Sequence, residues 1–283
     1  MKNYFKTTVL MVGLTLFMMF IGGLWAGEGG MILLFLVSMV MNLAMYWFSD
    51  KIALAMHRAK PLSREEAPNV YRTLDELTQW AQLPMPRVYL IDNDAPNAFA
   101  TGRNPQHSAV AVTRGLLQLM QYEELKGVLA HELAHIKNRD CLISTVAAAM
   151  AGVIMMIAHS ARWGLMFTGF GGRDRGRGGD LLGYLFMIIV APLAAMLIQM
   201  AISRSREYGA DATGASFAGQ PHGLANALLK LEQGAKLIPM ETSPATSHLF
   251  IVNPLSGKGF RSLFSTHPPI EERVRRLREL SNF

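Results

Sequence analysis

Two long uncharged runs open the chain: residues 7–26 and 31–48 hold no acidic or basic side chain. Each is long enough to cross a ~30 Å hydrocarbon layer as a helix rising ~1.5 Å per residue. The residues between them, GEGG at 27–30, predict a tight turn and therefore a helical hairpin. A cleaved signal peptide is the rival reading of the first run. Its length opposes that, as do Trp25 and Glu28 where small residues would be needed. Trp25, Tyr46, Trp47 and Phe48 mark the run ends, as an interfacial aromatic belt does. Lys2 and Lys6 before the hairpin, with Lys51, Arg58 and Lys60 after it, predict both ends in the cytoplasm.

The runs 142–159 and 181–202 are also apolar. Ala147, Ala148, Ala149, Ala151 and Gly152 suit close helix packing. The loop between the two runs carries Arg162, Arg173, Arg175 and Arg177, which opposes full crossing of both. Full spanning and an apolar hairpin only partly in lipid both stand as readings.

The remaining stretches alternate shorter periods. Val70, Leu74, Leu77 and Trp80 predict the inner face of a helix over 66–82. Residues 86–92 and 108–113 read as strands, with a further extended segment at 97–102 ended by Gly102 and Asn104. Helices are predicted over 121–138 and 222–235, and over 269–280 with Ile270, Val274 and Leu277 inward. His222 reads as a helix start, and His57 and His107 as solvent-facing. The expected organisation is a hairpin at 1–50, a catalytic part at 51–141, a second apolar hairpin at 142–202, and a second catalytic part at 203–283.

Composition agrees with a membrane protein bearing a soluble part. Of 283 residues, 51% are hydrophobic and 17% charged, which excludes intrinsic disorder. The single Cys141 excludes a disulfide scaffold. The net charge of +6 is spread beside apolar segments, as expected of cations facing anionic lipid; no nucleic-acid partner is expected.

The chemistry concentrates in HELAH, residues 131–135. On a helix, His131 and His135 project from one face about one turn apart, as two ligands of one tetrahedral zinc require. Glu132, one residue on, sits where it can take a proton from water at the metal. Two histidines in the apolar setting of Val128, Leu129, Leu133, Ala134 and Ile136 need a partner if buried. A third ligand has several candidates: Glu207, Asp211, His159, His222, His248 and His267. The residues favour Glu207, with Asp211 on the same face able to bond the far nitrogen of a ligating histidine. Simple pairing of Glu207 with Arg204 or Arg206 is the plain alternative.

Five motifs stand in order: NAFATG at 97–102, SAVAVTRGLL at 108–117, VLAHELAHIKNRD at 128–140, SREYGAD at 205–211 and THPP at 266–269. With the amino-terminal hairpin, they make nearly the whole chain resemble the HtpX family of membrane-embedded zinc metalloproteases, relatives of the eukaryotic CAAX prenyl endoprotease. The resemblance implies a membrane α-helical fold plus an α+β zincin-like (gluzincin) domain. It implies one zinc ion on His131, His135 and Glu207, and Glu132 as the catalytic carboxylate. It gives His267 as a donor to the oxyanion, and Asn97 of the segment Asn97, Ala98 and Phe99 as a substrate contact. Substrate would add as a strand along 97–102, which tolerates many sequences. Unfolded or membrane-protein substrates follow, handled in quality control at the cytoplasmic face of a bacterial inner membrane.

Two rival readings remain. One is cleavage within the bilayer, opposed by the polar flanks Gln121, Glu123, Glu124 and Lys126, and Lys137, Asn138, Arg139 and Asp140. The other is a non-catalytic chaperone with a structural zinc, opposed by Glu132. Residues 236–265, rich in Pro and Gly but carrying the apolar run 249–252, predict either a lid over the cleft or a statically packed loop.

Overall fold

The computed structural model describes residues 2–152, 204–240, 242, 246–254 and 267–280. The loop 160–180, His159, the run 181–202 and parts of the predicted segments 142–159 and 236–265 lie outside the described residues.

The first helical element, α1 (Lys2–Met56), is two helices joined at a break. Gly27, at φ +59°, occupies the left-handed region that glycine enters without strain. The turn is tighter than predicted: the non-helical backbone there is confined to Ala26 and Gly27, and helix resumes within GEGG. Asn42 donates to the Met11 carbonyl at 3.3 Å and contacts Thr15 Oγ1 at 3.0 Å, so the two arms run antiparallel. Two stretches, Phe5–Leu24 and Ala26–Met56, are long and apolar enough to cross a membrane. Leu16, Phe20, Leu33, Leu36, Val40 and Leu43 are exposed, as lipid-facing side chains are. The second arm continues beyond the predicted end at residue 48, and its last turns bury Ala53 and Leu54 against Phe99, Ala109 and Ala111.

A four-stranded sheet follows, built from β1 (Lys60–Pro61), β2 (Arg87–Ile91), β3 (Ala98–Gly102) and β4 (Ser108–Thr113) in the order β1-β2-β4-β3. β2 and β4 are parallel; β1 and β3 each pair antiparallel, leaving β3 at an edge. Between β2 and β3, Asn97 donates its N–H to Thr113 Oγ1 at 2.8 Å, and the same hydroxyl accepts from Leu116 at 3.1 Å, capping α3 (Arg114–Leu119). Neither α3 nor β1 was predicted; both are too short to show a period.

The helices pack on one another and on the sheet. In α2 (Pro68–Ala81), Val70, Leu74, Leu77 and Ala81 are buried. Trp80, expected inward, is 79% exposed. At 100° per residue it falls about 90° off the stripe that Ala81 completes. The central helix α4 (Tyr122–Asn138) starts with a reciprocal capping pair between Gln121 and Glu124. α5 (Cys141–Gly152) packs Leu142, Ile143, Val146 and Met150 on Leu10, Leu14, Met18 and Met45 of the hairpin. α6 (Arg204–Ala218) crosses α4 so closely that a Cβ on Gly214 would stand 2.9 Å from the backbone of His131. α7 (His222–Leu237) and α8 (Ile270–Leu280) close the core, with Ile270, Val274 and Leu277 buried as expected. His222 opens its helix and His107 is exposed, both as predicted.

Candidate active site

The hydrophobic stripe of α4 buries His131 and Glu132 almost completely, at 1% and 2% exposure. His131 Nε2 and His135 Nε2 lie 3.2 Å apart with their rings nearly perpendicular. α6 delivers Glu207 to the same point: Oε1 is 3.7 Å from His135 Nε2 and Oε2 is 3.9 Å from His131 Nε2. Two ligands at ~2.0–2.1 Å from a tetrahedral zinc stand about 3.3 Å apart. The three edges are thus close to those of a metal site, and these residues form a group able to hold an ion. The close charged contacts of Glu207 run to His131, His135, His267 and Arg273, while Arg206 stands 3.9 Å from Asp140.

Two further observations fit a cation here. Glu207 Oε2 is buried without a hydrogen-bond partner. Burial alone would lower His135, yet Asp140, Glu207 and Glu132 outweigh it and push it up to about 9, the response of a site with excess negative charge. Burial pushes His131 down to about 4, so that ring stays neutral with a lone pair to offer. Burial would raise Glu207, but His267, His135 and Arg273 hold it well below the usual carboxylate range.

Each histidine is backed by a carboxylate on its far side. His131 Nδ1 stands 3.0 Å from Asp211 Oδ1, as the i+4 spacing from Glu207 predicted. His135 Nδ1 stands 3.2 Å from Asp140 Oδ2, a partner the sequence reading missed. Arg139 takes a left-handed conformation at φ +58°, and that turn swings Asp140 back beneath the helix end. The available signal was an acidic residue just past the last helical turn, five positions after His135. Arg273 was also missed, although it falls inside the Ile270, Val274 and Leu277 stripe.

Glu132 faces the edge strand, where its carboxylate accepts from the backbone of Ala100. Burial, aided by the negative charge of Glu207, pushes Glu132 up to about 7. His267 enters from the chain before α8, with Nδ1 3.5 Å from Glu207 Oε2. His248, buried in the same pocket, contacts the Ser144 carbonyl through Nε2 at 3.1 Å. The cavity bounded by these groups, Cys141 and Ile251 has a volume of about 30 Å³, room for about two waters rather than a peptide.

The free edge of β3 is not open, contrary to the simple strand-addition picture. The Asn97 carbonyl accepts from Thr113 N–H, so residue 97 faces β4 and residues 98 and 100 face outward. Ile251 donates its N–H to the Ala98 carbonyl at 3.0 Å. Asn97 donates Nδ2 to the Val252 carbonyl at 2.8 Å, and its Oδ1 accepts from Val252 N–H at 3.4 Å. Asn97 thus contacts the backbone of its own chain. Phe99 packs edge-on against Phe250 at 5.3 Å, and His57 lies tilted against Phe99 and edge-on to Phe250. His57, expected to face solvent, is half-buried because α1 runs on into the sheet.

Comparison with known proteins places this geometry. Residues 64–281 match the model of peptidase family M48. The chain is 57% identical to a "Protease HtpX homolog" of Syntrophobacter fumaroxidans, over 99% of this chain and 100% of that one. A homologue of the same name in Thermococcus kodakarensis is 53% identical over 98% of this chain and 96% of its own. The crystal structure of S. mikatae Ste24p has the same fold at a TM-score of 0.50 and 19% identity, covering 98% of this chain and 65% of that one. Built on a HExxH helix and two apolar helical arms, and matching the two HtpX homologues over nearly their whole length, the chain belongs to peptidase family M48 as a membrane metalloprotease of the HtpX kind.

Proposed function

We propose that the chain is a zinc endopeptidase that cleaves unfolded or damaged membrane proteins at the cytoplasmic face of a bacterial inner membrane. The observation that carries this reading is the close triangle of His131, His135 and Glu207 with buried Glu132 beside it. His131, His135 and Glu207 would hold one zinc, which when bound polarises a carbonyl and makes water more acidic. Glu132, held near neutrality by burial, accepts the proton of the attacking water and passes it to the departing amine. His267 donates to the oxygen on which negative charge develops.

Placement at the membrane surface is supported by α5, which starts at the cleft with Cys141 and packs directly on the hairpin. Polar groups on the other side, including the ion pair of Lys230 with Glu124 at 2.7 Å, favour a site above the lipid rather than within it. Lys51, Arg58 and Lys60 support a cytoplasmic orientation. Substrate would take the outward carbonyl of Ala98 once Ile251 leaves it, with Asn97 and Phe99 contacting it. Recognition through main-chain bonds reads little sequence, which suits quality control. Casein cleavage by the purified full chain tests the reading. It should require zinc and vanish in Glu132→Gln, and zinc-independent cleavage would overturn it.

A further inference from the structure

Arg273 is fully buried at 0% exposure, which is costly for a permanently charged side chain. All three guanidinium nitrogens are engaged. Nε donates to Asp211 Oδ2 at 2.9 Å and Nη2 to Asp211 Oδ1 at 2.7 Å. Nη1 donates to the Ile251 carbonyl at 3.0 Å and stands 3.9 Å from Glu207 Oε2. Asp211 in turn presents Oδ1 to His131 Nδ1 at 3.0 Å. A line of contacts therefore runs from α8 through Asp211 to the ring of His131, Nη2 itself stands 3.5 Å from His131 Nε2, and a branch reaches the segment lying on β3.

We propose that Arg273 is a positioning residue for the metal centre, fixing the carboxylate plane of Asp211 and through it the tautomer and ring orientation of His131. The inference rests on the zinc reading above. A carboxylate alone can rotate about its last bond, and a planar two-point fork removes that freedom. A lysine supplies charge without the plane. Stability is a poor explanation for the pair, because apolar replacements of buried ion pairs are often neutral or stabilising. The bond to Ile251 means that the group ordering His131 also holds the segment occupying the β3 edge.

The test uses the full chain in detergent with Glu132→Gln, so that self-cleavage does not intervene. Zinc affinity is measured by competition with a chromophoric chelator, and the melting temperature of the zinc-free protein is measured alongside. R273K should lower zinc affinity about 10- to 100-fold, the usual effect of losing an outer partner of a ligand. D211N should do the same, and the double variant should lose no more than the worse single one. Parental affinity in R273K, or losses that multiply in the double variant, overturns the proposal. If R273K melts far below the parent, D211L/R273M replaces the buried pair by apolar groups and keeps the fold. Weakened affinity there supports the proposal and parental affinity overturns it. Glu207→Ala separates the layers. Parental zinc binding in that variant overturns the metal reading and the relay with it, whereas loss there beside intact binding in R273K overturns the relay alone.

Discussion

Ile251 holds the carbonyl of Ala98 through its backbone N–H at 3.0 Å, on the edge of β3 that faces Glu132. The bond uses an outward-facing group that an extended substrate would need. Beside it, Asn97 ties the backbone of Val252, and Phe250 is buried between Phe99 and His57. With about 30 Å³ of free volume at the site, the expectation is that the 249–252 segment moves when substrate enters. This favours the lid reading of that run over static packing.

Hydrogen exchange with and without a zinc-directed peptide inhibitor checks the movement. Amides 249–252 should exchange faster in the complex, because the inhibitor takes the place of Ile251 on β3. Residues 97–102 and 131–135 should become protected at the same time. Unchanged exchange at 249–252 beside clear protection at 97–102 would mean that substrate binds without displacing the segment.

As the proposed base, Glu132 stands apart in role from the proposed ligands, though adjacent to His131 in sequence. Glu132→Gln should therefore keep its zinc and lose at least ~10²–10⁴ in turnover, the usual worth of a general base. Stoichiometric zinc by elemental analysis, together with casein kinetics, checks both halves. A corollary concerns purification: the wild-type chain should nick itself once detergent exposes its loops, and this variant should stay intact.

The carboxylates around the triangle should rank by distance from the ion. Glu207→Ala removes one of the three proposed ligands and should lose zinc and activity together. Asp211→Ala and Asp140→Ala remove partners on the far side of His131 and His135, and each should cost about 10- to 100-fold in zinc affinity. Chelator titration of the three variants gives the order. Equal losses in all three would remove the distinction between inner and outer carboxylates.

The sequence made the long periodic elements and the His131/His135 pair legible, because both are local patterns, whereas Glu207 stood among several candidates until the family resemblance singled it out. A helix of 17 residues such as α4 repeats its period several times, and its two histidines are fixed by one spacing. Asp140 and Arg273 were hidden because each acts on a partner brought near by a turn or by tertiary packing. Arg273 left a trace all the same: three residues after Ile270 and four before Leu277, it is a charge on an apolar face. Trp80 and His57 show the opposite failure. A stripe drawn one residue early took Trp80 inward, and a histidine without a motif was placed in solvent before the course of α1 was known.

His57 leads to a pH dependence. Its ring lies 4.8 Å from that of Phe250 and 5.4 Å from that of Phe99, and Nε2 is buried without a hydrogen-bond partner. Burial lowers its pKa from 6.5 to about 4, since a cation there would lose water and gain no acceptor. The unfolded chain therefore binds a proton at a higher pH than the folded one. The resulting stability is fully present above pH 6.5 and is lost progressively as pH falls to about 4, where both states are protonated. The whole shift corresponds to roughly 3 kcal/mol, and partial exposure of the ring reduces this to about 2 kcal/mol. His57→Phe keeps an aromatic ring between Phe99 and Phe250 but removes the titration. Melting curves of the two proteins between pH 7.5 and 4.5, both in the Glu132→Gln background, isolate the effect, because every other titrating group is common to both. The wild-type melting temperature should fall relative to His57→Phe by several degrees across that range. A gap that stays constant with pH would show that His57 is protonated as easily in the fold as out of it.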